Sequence, residues 1–265
     1  MRMDFETLGF TRKDGVAVIT LDRPERLNAL TAAMHADLRS ALGICREDAT
    51  LRVVMLTGAG RAFSSGQDLT EDLPRGADGR IDLEGPLMRD YNPLVLALAD
   101  FPKLTIAALN GPAVGASANI ALACDLVVAA RSAFLQQAFA RIGLIPDAGG
   151  TWILPRLVGP KRALDLMLTA GQISAEEAQR MGLVARVFDD ESFAAEAEAL
   201  AISLARGPAL AQQAMKRAVR ESLANDLETQ LTLEAQLQAA CGRSDDFEEG
   251  VAAFREKRVP VFRGR

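Results

Sequence analysis

The chain is poor in the residues from which many catalytic centres are built. Of its 265 residues only one is histidine, one tyrosine and one tryptophan. The lone histidine, His35, falls on an amphipathic stretch with Met34, Leu38 and Leu42, far in sequence from any glycine-rich turn. A Ser-His-Asp triad or a histidine-rich metal centre would rest on that residue alone, so a surface or packing role is the simpler reading. The three cysteines, Cys45, Cys124 and Cys241, are odd in number and widely spaced. They suggest neither a disulfide frame nor a zinc site, and fit a reducing compartment. No apolar stretch reaches membrane-spanning length, because Asp125 interrupts the longest candidate, Ala113 to Ala130. The start, Met1-Arg2-Met3-Asp4-Phe5-Glu6, is charged with no apolar run behind it, so no signal peptide is expected. Net positive charge is lacking too. At a formal charge of -5 and a pI near 5.1, with Lys and Arg scattered, nothing draws the chain to phosphate backbones. A cytoplasmic protein is expected, with neither nucleic acid nor membrane as its partner.

What is present is enough apolar material, 49% of the residues, for a full core. Val16 to Leu21 and Val53 to Thr57 read as strands around a helix over Thr31 to Cys45. The same pattern recurs as a strand at Leu104 to Leu109, an alanine-rich helix at Ala116 to Ala123 and a strand at Asp125 to Ala130. Such alternation favours parallel pairing with right-handed crossovers. Beyond about residue 190 only helical stretches remain: Glu191 to Arg206, Pro208 to Leu223, Asp226 to Cys241 and Asp245 to Lys257. The reading is an α/β core over 1–190 followed by a helical region over 191–265. Ser174 and Glu177 form a capping box for a helix starting near Ala175. Pro74 to Gly85, with three glycines and few large apolar residues, reads as a mobile surface loop of lid-like length.

Three glycine-rich turns follow strands or precede helices. In Thr57-Gly58-Ala59-Gly60-Arg61-Ala62-Phe63-Ser64-Ser65-Gly66-Gln67-Asp68-Leu69, glycine allows close approach of backbone to a ligand, with N–H groups pointing outward. A tight turn in which Asp68 caps the next helix explains it as well, and the spacing matches neither dinucleotide nor P-loop fingerprints. In Asn110-Gly111-Pro112-Ala113-Val114-Gly115-Ala116-Ser117-Ala118-Asn119, small side chains at a helix start leave N–H donors accessible, or serve close packing. In Gly143-Leu144-Ile145-Pro146-Asp147-Ala148-Gly149-Gly150-Thr151-Trp152, Asp147 sits between apolar residues and a glycine pair, as an N-cap or a catalytic acid.

Taken in order with Asp22-Arg23-Pro24-Glu25-Arg26-Leu27-Asn28-Ala29-Leu30, these segments resemble the motifs of the enoyl-CoA hydratase/isomerase (crotonase) family, over essentially the whole chain. The resemblance implies a spiral of ββα units with a C-terminal helical trimerisation region, hence a homotrimer or dimer of trimers. It also implies an acyl-CoA substrate, with coenzyme A entering as part of that substrate and no separate cofactor. The backbone N–H groups of Gln67 and Ala116 match the pair that holds the thioester oxygen. Ser65, Gly66, Asp68 and Leu69 flank the first of these, and Gly115 the second. Arg26 and Leu27 match the loop that binds the nucleotide part of coenzyme A. Phe254 and Lys257 match C-terminal residues that hold the same moiety, often from a neighbouring subunit.

The sequence departs from the family's hydratases at their two glutamates, whose positions carry Asn119 and Phe139. An amide and a phenyl ring do not exchange protons near neutral pH, so two-carboxylate hydration is not available in its usual form. Asp147 stands where family isomerases of dienoyl and ring-derived thioesters carry an acid. Flanked by Ile145 and Pro146, and near Phe139, its carboxylate is expected to be desolvated and its pKa raised. The expected activity is therefore isomerisation by a single aspartate base. A hydratase-like enzyme, an enzyme using Asp147 as nucleophile and a non-catalytic acyl-CoA-binding protein are the alternatives.

Overall fold

The computed structural model describes residues 5–264, so the part of the amino-terminal reading that rests on Met1 to Asp4 lies outside them. Strands β1 (Leu8–Lys13), β2 (Val16–Leu21), β3 (Val53–Gly58), β4 (Leu104–Leu109), β6 (Leu126–Ala130) and β9 (Arg186–Phe188) form one sheet in the order β1-β2-β3-β4-β6-β9. All neighbours in it are parallel except β1 and β2. A second sheet joins β5 (Ala113–Val114), β7 (Phe134–Gln136) and β8 (Gln172–Ser174). Strand β1 was not anticipated, although its signal is present. Asp14 and Gly15 adopt φ of 50° and 80°, the left-handed pair that closes a two-residue hairpin between β1 and β2.

Parallel pairing requires crossovers, and helices supply them. Helix α1 (Ala32–Glu47) carries the chain from β2 to β3. Thr31 caps it by accepting the Met34 N–H at 3.1 Å, and Met34, His35, Leu38, Ala41, Leu42 and Cys45 form its buried face. Lys103 closes the other end, its Nζ donating to the carbonyls of Cys45 at 2.6 Å and Asp48 at 2.7 Å. His35 is thus a core residue, 1% exposed.

Between β3 and β4 the segment from Pro74 folds back on itself through an antiparallel bridge of Arg75 with Ile81. It then enters a short helix α2 (Glu84–Pro86), a π-helical turn over Leu87–Tyr91, and helix α3 (Asn92–Ala99). Helix α4 (Ala116–Leu122), wholly buried, links β5 to β6. Helices α5 (Gly150–Val158), α6 (Pro160–Thr169) and α7 (Ala175–Met181) precede β9. Ser174 accepts the Glu177 N–H at 3.2 Å, as its capping motif requires.

The last strand ends at Phe188, and α8 (Phe193–Ala205), α9 (Ala209–Glu221), α10 (Leu227–Cys241) and α11 (Asp245–Glu256) follow. Helix α8 packs on β2, β3 and β6 through Phe193, Ala197, Ala201 and Ala205. Helix α9 is tied to the sheet by Lys216, whose Nζ reaches Asp125 at 2.8 Å and the Lys103 carbonyl at 3.3 Å. Asp125 in turn accepts from the N–H and hydroxyl of Thr105. Lys216→Met is expected to cost about 2 kcal/mol, the worth of a charge-assisted hydrogen bond in a half-buried site, read from chemical denaturation.

Candidate active site

Three backbone turns bring the site together. The first holds Gln67. In the parallel bridge between Leu30 and Gln67, the Leu30 N–H donates to the Gly66 carbonyl at 2.8 Å and the Asp68 N–H to the Leu30 carbonyl at 2.9 Å. Residues 66 and 68 therefore face Leu30, and the N–H of Gln67 points the other way. No acceptor among the described residues takes it. Gly66 has φ of 89°, and a Cβ there would lie 2.7 Å from the Val114 carbonyl oxygen and 3.9 Å from the Ala116 nitrogen. Only glycine lets these two turns approach so closely.

The second turn supplies Ala116, the first residue of α4. Gly115 before it adopts φ 60° and ψ -128°, a conformation open to glycine, and donates its N–H to the Gln136 carbonyl at 2.8 Å. The N–H of Ala116 is one of the unpaired donors of a helix start, and it too meets no acceptor among the described residues. Two free N–H groups thus lie side by side in a cradle of small residues. Such a pair can take one electronegative atom between them. The Phe139 ring stands 3.8 Å from where a Gly115 Cβ would be, which places this buried ring beside the pair.

The third turn holds Asp147. It is not an N-cap: α5 starts with Gly149 as its cap, and no side chain serves that end. Its backbone carbonyl accepts from Asn119 Nδ2 at 2.8 Å, and Asn119 Oδ1 accepts from Gln137 Nε2 at 2.8 Å. Asn119 lies one turn into α4 from Ala116, so this chain of amides fixes Asp147 relative to the free N–H groups. Gly150 makes room for it, since a Cβ would sit 2.3 Å from Asn119 Nδ2. The carboxylate is set apart from this network. Its Oδ1 is shut off from solvent and has no hydrogen-bond partner. Burial raises its pKa to about 6. The expected cause is only partly right, because Ile145 is 79% exposed and turns away rather than covering the acid. Tyr91, buried on the π-helical turn, has its phenol pKa pushed up by burial and then by the charge of Asp147, and it donates its hydroxyl to Gln67 Oε1.

The remaining expected residues divide. Asp68 caps no helix; its carboxylate is buried, gripped by both terminal nitrogens of Arg23 at 3.0 Å and by the N–H and hydroxyl of Thr70. With its acceptors so occupied, it braces the Gln67 turn rather than offering itself to a ligand. Arg26 and Leu27 lie on an exposed short helical turn whose end, Leu27, has φ of 51°. Ser65 is bonded to it through its N–H to the Leu27 carbonyl at 2.9 Å, which joins the Arg26 loop to the site. Leu69 is 59% exposed beside Gln67. Phe254, 86% exposed, and Lys257 on the end of α11 make no hydrogen bond or ion pair with any of these residues among those described. Within one subunit they are not joined to the site.

The sequence singled out no role for Asn28 or Gln137. Asn28, fully buried with φ of 54°, accepts from the Arg23 N–H and donates to the carbonyls of Ala59 and Ala62. An asparagine among Arg26, Leu27 and a glycine-rich turn was a usable signal, since it tolerates the left-handed region. Asn28→Ala would take a donor from the half-buried Ala59 carbonyl and one of two from the Ala62 carbonyl, which Asn110 Nδ2 also reaches at 3.2 Å, and is expected to lower stability by about 1 to 3 kcal/mol, measured by thermal unfolding. Among the described residues no cluster of histidine, cysteine and acidic groups could hold a metal ion.

Comparison with known proteins agrees with this architecture. The family model described as enoyl-CoA hydratase/isomerase matches residues 11–265. A Rhodobacter capsulatus protein named probable enoyl-CoA hydratase is 51% identical over 263 residues, 99% of this chain and all of the relative. The 1,2-epoxyphenylacetyl-CoA isomerase of Escherichia coli is 47% identical over 251 residues, 95% of this chain and 96% of the relative. The crystal structure of an enoyl-CoA hydratase from Bacillus anthracis superimposes with a TM-score of 0.89 at 34% identity, covering 98% of this chain and all of that one. The strand-then-helix order, the two facing glycine turns and these likenesses lead to one statement: the chain has the crotonase fold and belongs to the enoyl-CoA hydratase/isomerase family.

Proposed function

We propose that the protein is an acyl-CoA isomerase in which Asp147 is the only acid–base group. The observation that carries this reading is the buried, unpartnered Oδ1 of Asp147, tied through Asn119 to the helix whose first N–H belongs to Ala116. The thioester oxygen sits between the N–H groups of Gln67 and Ala116. As a proton leaves the carbon beside the carbonyl, negative charge moves onto that oxygen, and each donor stabilises it by about 3 to 4 kcal/mol. Asp147 takes that proton and returns it at another carbon. Water addition would need a second proton-exchanging group. Asn119 offers none, since its amide is bonded on both sides, and Phe139 presents a hydrocarbon ring.

Within the family's range we propose ring-derived thioesters as substrates: the conversion of the 1,2-epoxide of phenylacetyl-CoA to its oxepin, and double-bond shifts in related enoyl-CoA compounds. The name of the Escherichia coli relative favours this reading. That of the Rhodobacter capsulatus relative favours hydration, which the same assays test. The segments Tyr91-Asn92-Pro93-Leu94 and Gly242-Arg243-Ser244-Asp245 carry the narrower resemblance to the ring-epoxide isomerases. We further propose a homotrimer or a dimer of trimers in the cytoplasm. A groove of about 840 Å³ along α10 is lined by Leu227, Leu231, Ala235 and Ala239, and Met215, Val219 and Phe254 are also exposed. So much apolar surface on the helical region calls for a covering copy of the chain. Sedimentation is expected to give at least a trimer, and a stable monomer would contradict it.

Asp147→Asn is expected to lower isomerisation of a 3-enoyl or ring-epoxide thioester by at least about 100-fold with acyl-CoA affinity retained. Unchanged turnover would remove Asp147 from the chemistry; binding without turnover by the wild type would favour a non-catalytic role. A base must be ionised, so kcat/KM is expected to rise with pH through about 6 and level off above it. The same burial acts on stability. The folded pKa lies above the ordinary aspartate value, so the protonated acid favours the fold, and that contribution is lost as pH rises from about 4 through about 6. Asp147→Asn is therefore expected to melt higher than the wild type at pH 7.5, with the difference shrinking toward pH 4.

A further inference from the structure

Tyr91 is the single tyrosine of the chain, 5% exposed, and its placement is unusual. The π-helical turn over Leu87–Tyr91, in which the Asn92 N–H donates to the Leu87 carbonyl, brings it in just before α3. Its ring packs on that of His35, with centroids 4.0 Å apart and planes at 57°. Its hydroxyl donates to Gln67 Oε1, while Gln67 Nε2 donates to the Asp68 carbonyl at 3.4 Å. Asp68 is itself clamped by Arg23. One side chain therefore joins the π-helical turn to the loop whose N–H faces Ala116. Gly149, two residues after Asp147, packs against Val95, one turn of α3 beyond Tyr91, so the Asp147 turn abuts the element that brings in the phenol. The Asp147 Oδ1 is buried with no donor, and its charge, after burial, raises the Tyr91 pKa.

A phenol has one proton to donate. Given to a buried carboxylate it would satisfy that carboxylate and make it a weaker base. We propose that Gln67 and Tyr91 are a positioning pair, in which the Gln67 amide oxygen captures the Tyr91 hydroxyl proton and so keeps this phenol from hydrogen-bonding Asp147. The backbone of residue 67 binds the substrate oxygen while its side chain preserves the base. This inference rests on the assignment of Asp147 as that base.

The other groups around the pair do not mimic the effect. His35, whose two ring nitrogens have no partner, has its pKa lowered by burial to about 4 and is neutral where Asp147 titrates. Asp90 faces Tyr91 and His35 but is bonded by Arg89 at 2.8 Å and lies 3.6 Å from Arg39. The charge of Glu71, an exposed residue, also bears on Tyr91, and its own pKa is raised, chiefly by partial desolvation, so a direct reading of Asp147 is needed rather than a rate profile alone.

The test is a 13C NMR titration of protein labelled at the aspartate carboxyl carbons, with the Asp147 signal assigned by its loss in Asp147→Asn. In Gln67→Met, which keeps the backbone N–H and removes the acceptor, the midpoint of Asp147 is expected to move downward by about one pH unit. Tyr91→Phe, which keeps the ring on His35, is expected to leave it in place. The double variant is expected to follow Tyr91→Phe, because no phenol remains to be released. A Gln67→Met midpoint equal to that of the wild type would overturn the pair, as would a double variant that shifts as far as Gln67→Met. A wild-type midpoint near 4 would instead undo the reading of Asp147 as the base, so the two failures are told apart.

Discussion

A carboxylate with one oxygen sealed from water and joined to no donor is an expensive thing for a fold to keep. The structure holds Asp147 in that condition by controlling its backbone rather than its charge. Asn119 takes the Asp147 carbonyl, Gln137 takes Asn119, and Gly150 leaves the gap in which that amide fits. The phenol of Tyr91, which on our proposal would otherwise relieve the acid, is spent on Gln67. Strain of this kind persists where surrounding structure over-determines it, and is spent in chemistry.

The two free N–H groups are the complement of that constraint. They come from unrelated local causes, a parallel bridge at Leu30 that turns Gln67 outward and a helix start at Ala116 that has no earlier carbonyl to meet. Gly66 permits the two to approach, and Phe139 walls them on one side. On the proposed reading, with Asp147 as a base and the two N–H groups as the site for negative charge, this arrangement suits the movement of a proton between carbons. The same arrangement is poorly suited to adding water, which asks for two groups that trade protons.

Much of this is legible in the sequence. The strands at Val16, Val53 and Leu104 and the four C-terminal helices follow from periodicity, with ends shifted by a residue or two. The glycine turns and Asp147 were visible as motifs. Contacts that depend on tertiary packing were not. Ile145 looked like a cover for Asp147 because it is its near neighbour in sequence, yet it faces outward, and the charge of Asp147 bears instead on Tyr91, more than fifty residues earlier. Asp68 looked like a cap or a ligand contact because nothing in its own segment shows that Arg23 lies across from it. Phe254 and Lys257 are not joined to the site within one subunit, since they lie on the exposed end of α11.

The central claim is that protons move on a bound acyl-CoA without water being added. It is tested most directly by incubating the enzyme with a 3-enoyl-CoA in heavy water enriched in 18O and following the product by NMR and mass spectrometry. The account predicts deuterium on the carbon skeleton of a shifted enoyl-CoA, with no 18O incorporated. Accumulation of an 18O-labelled 3-hydroxyacyl-CoA at a comparable rate would contradict it.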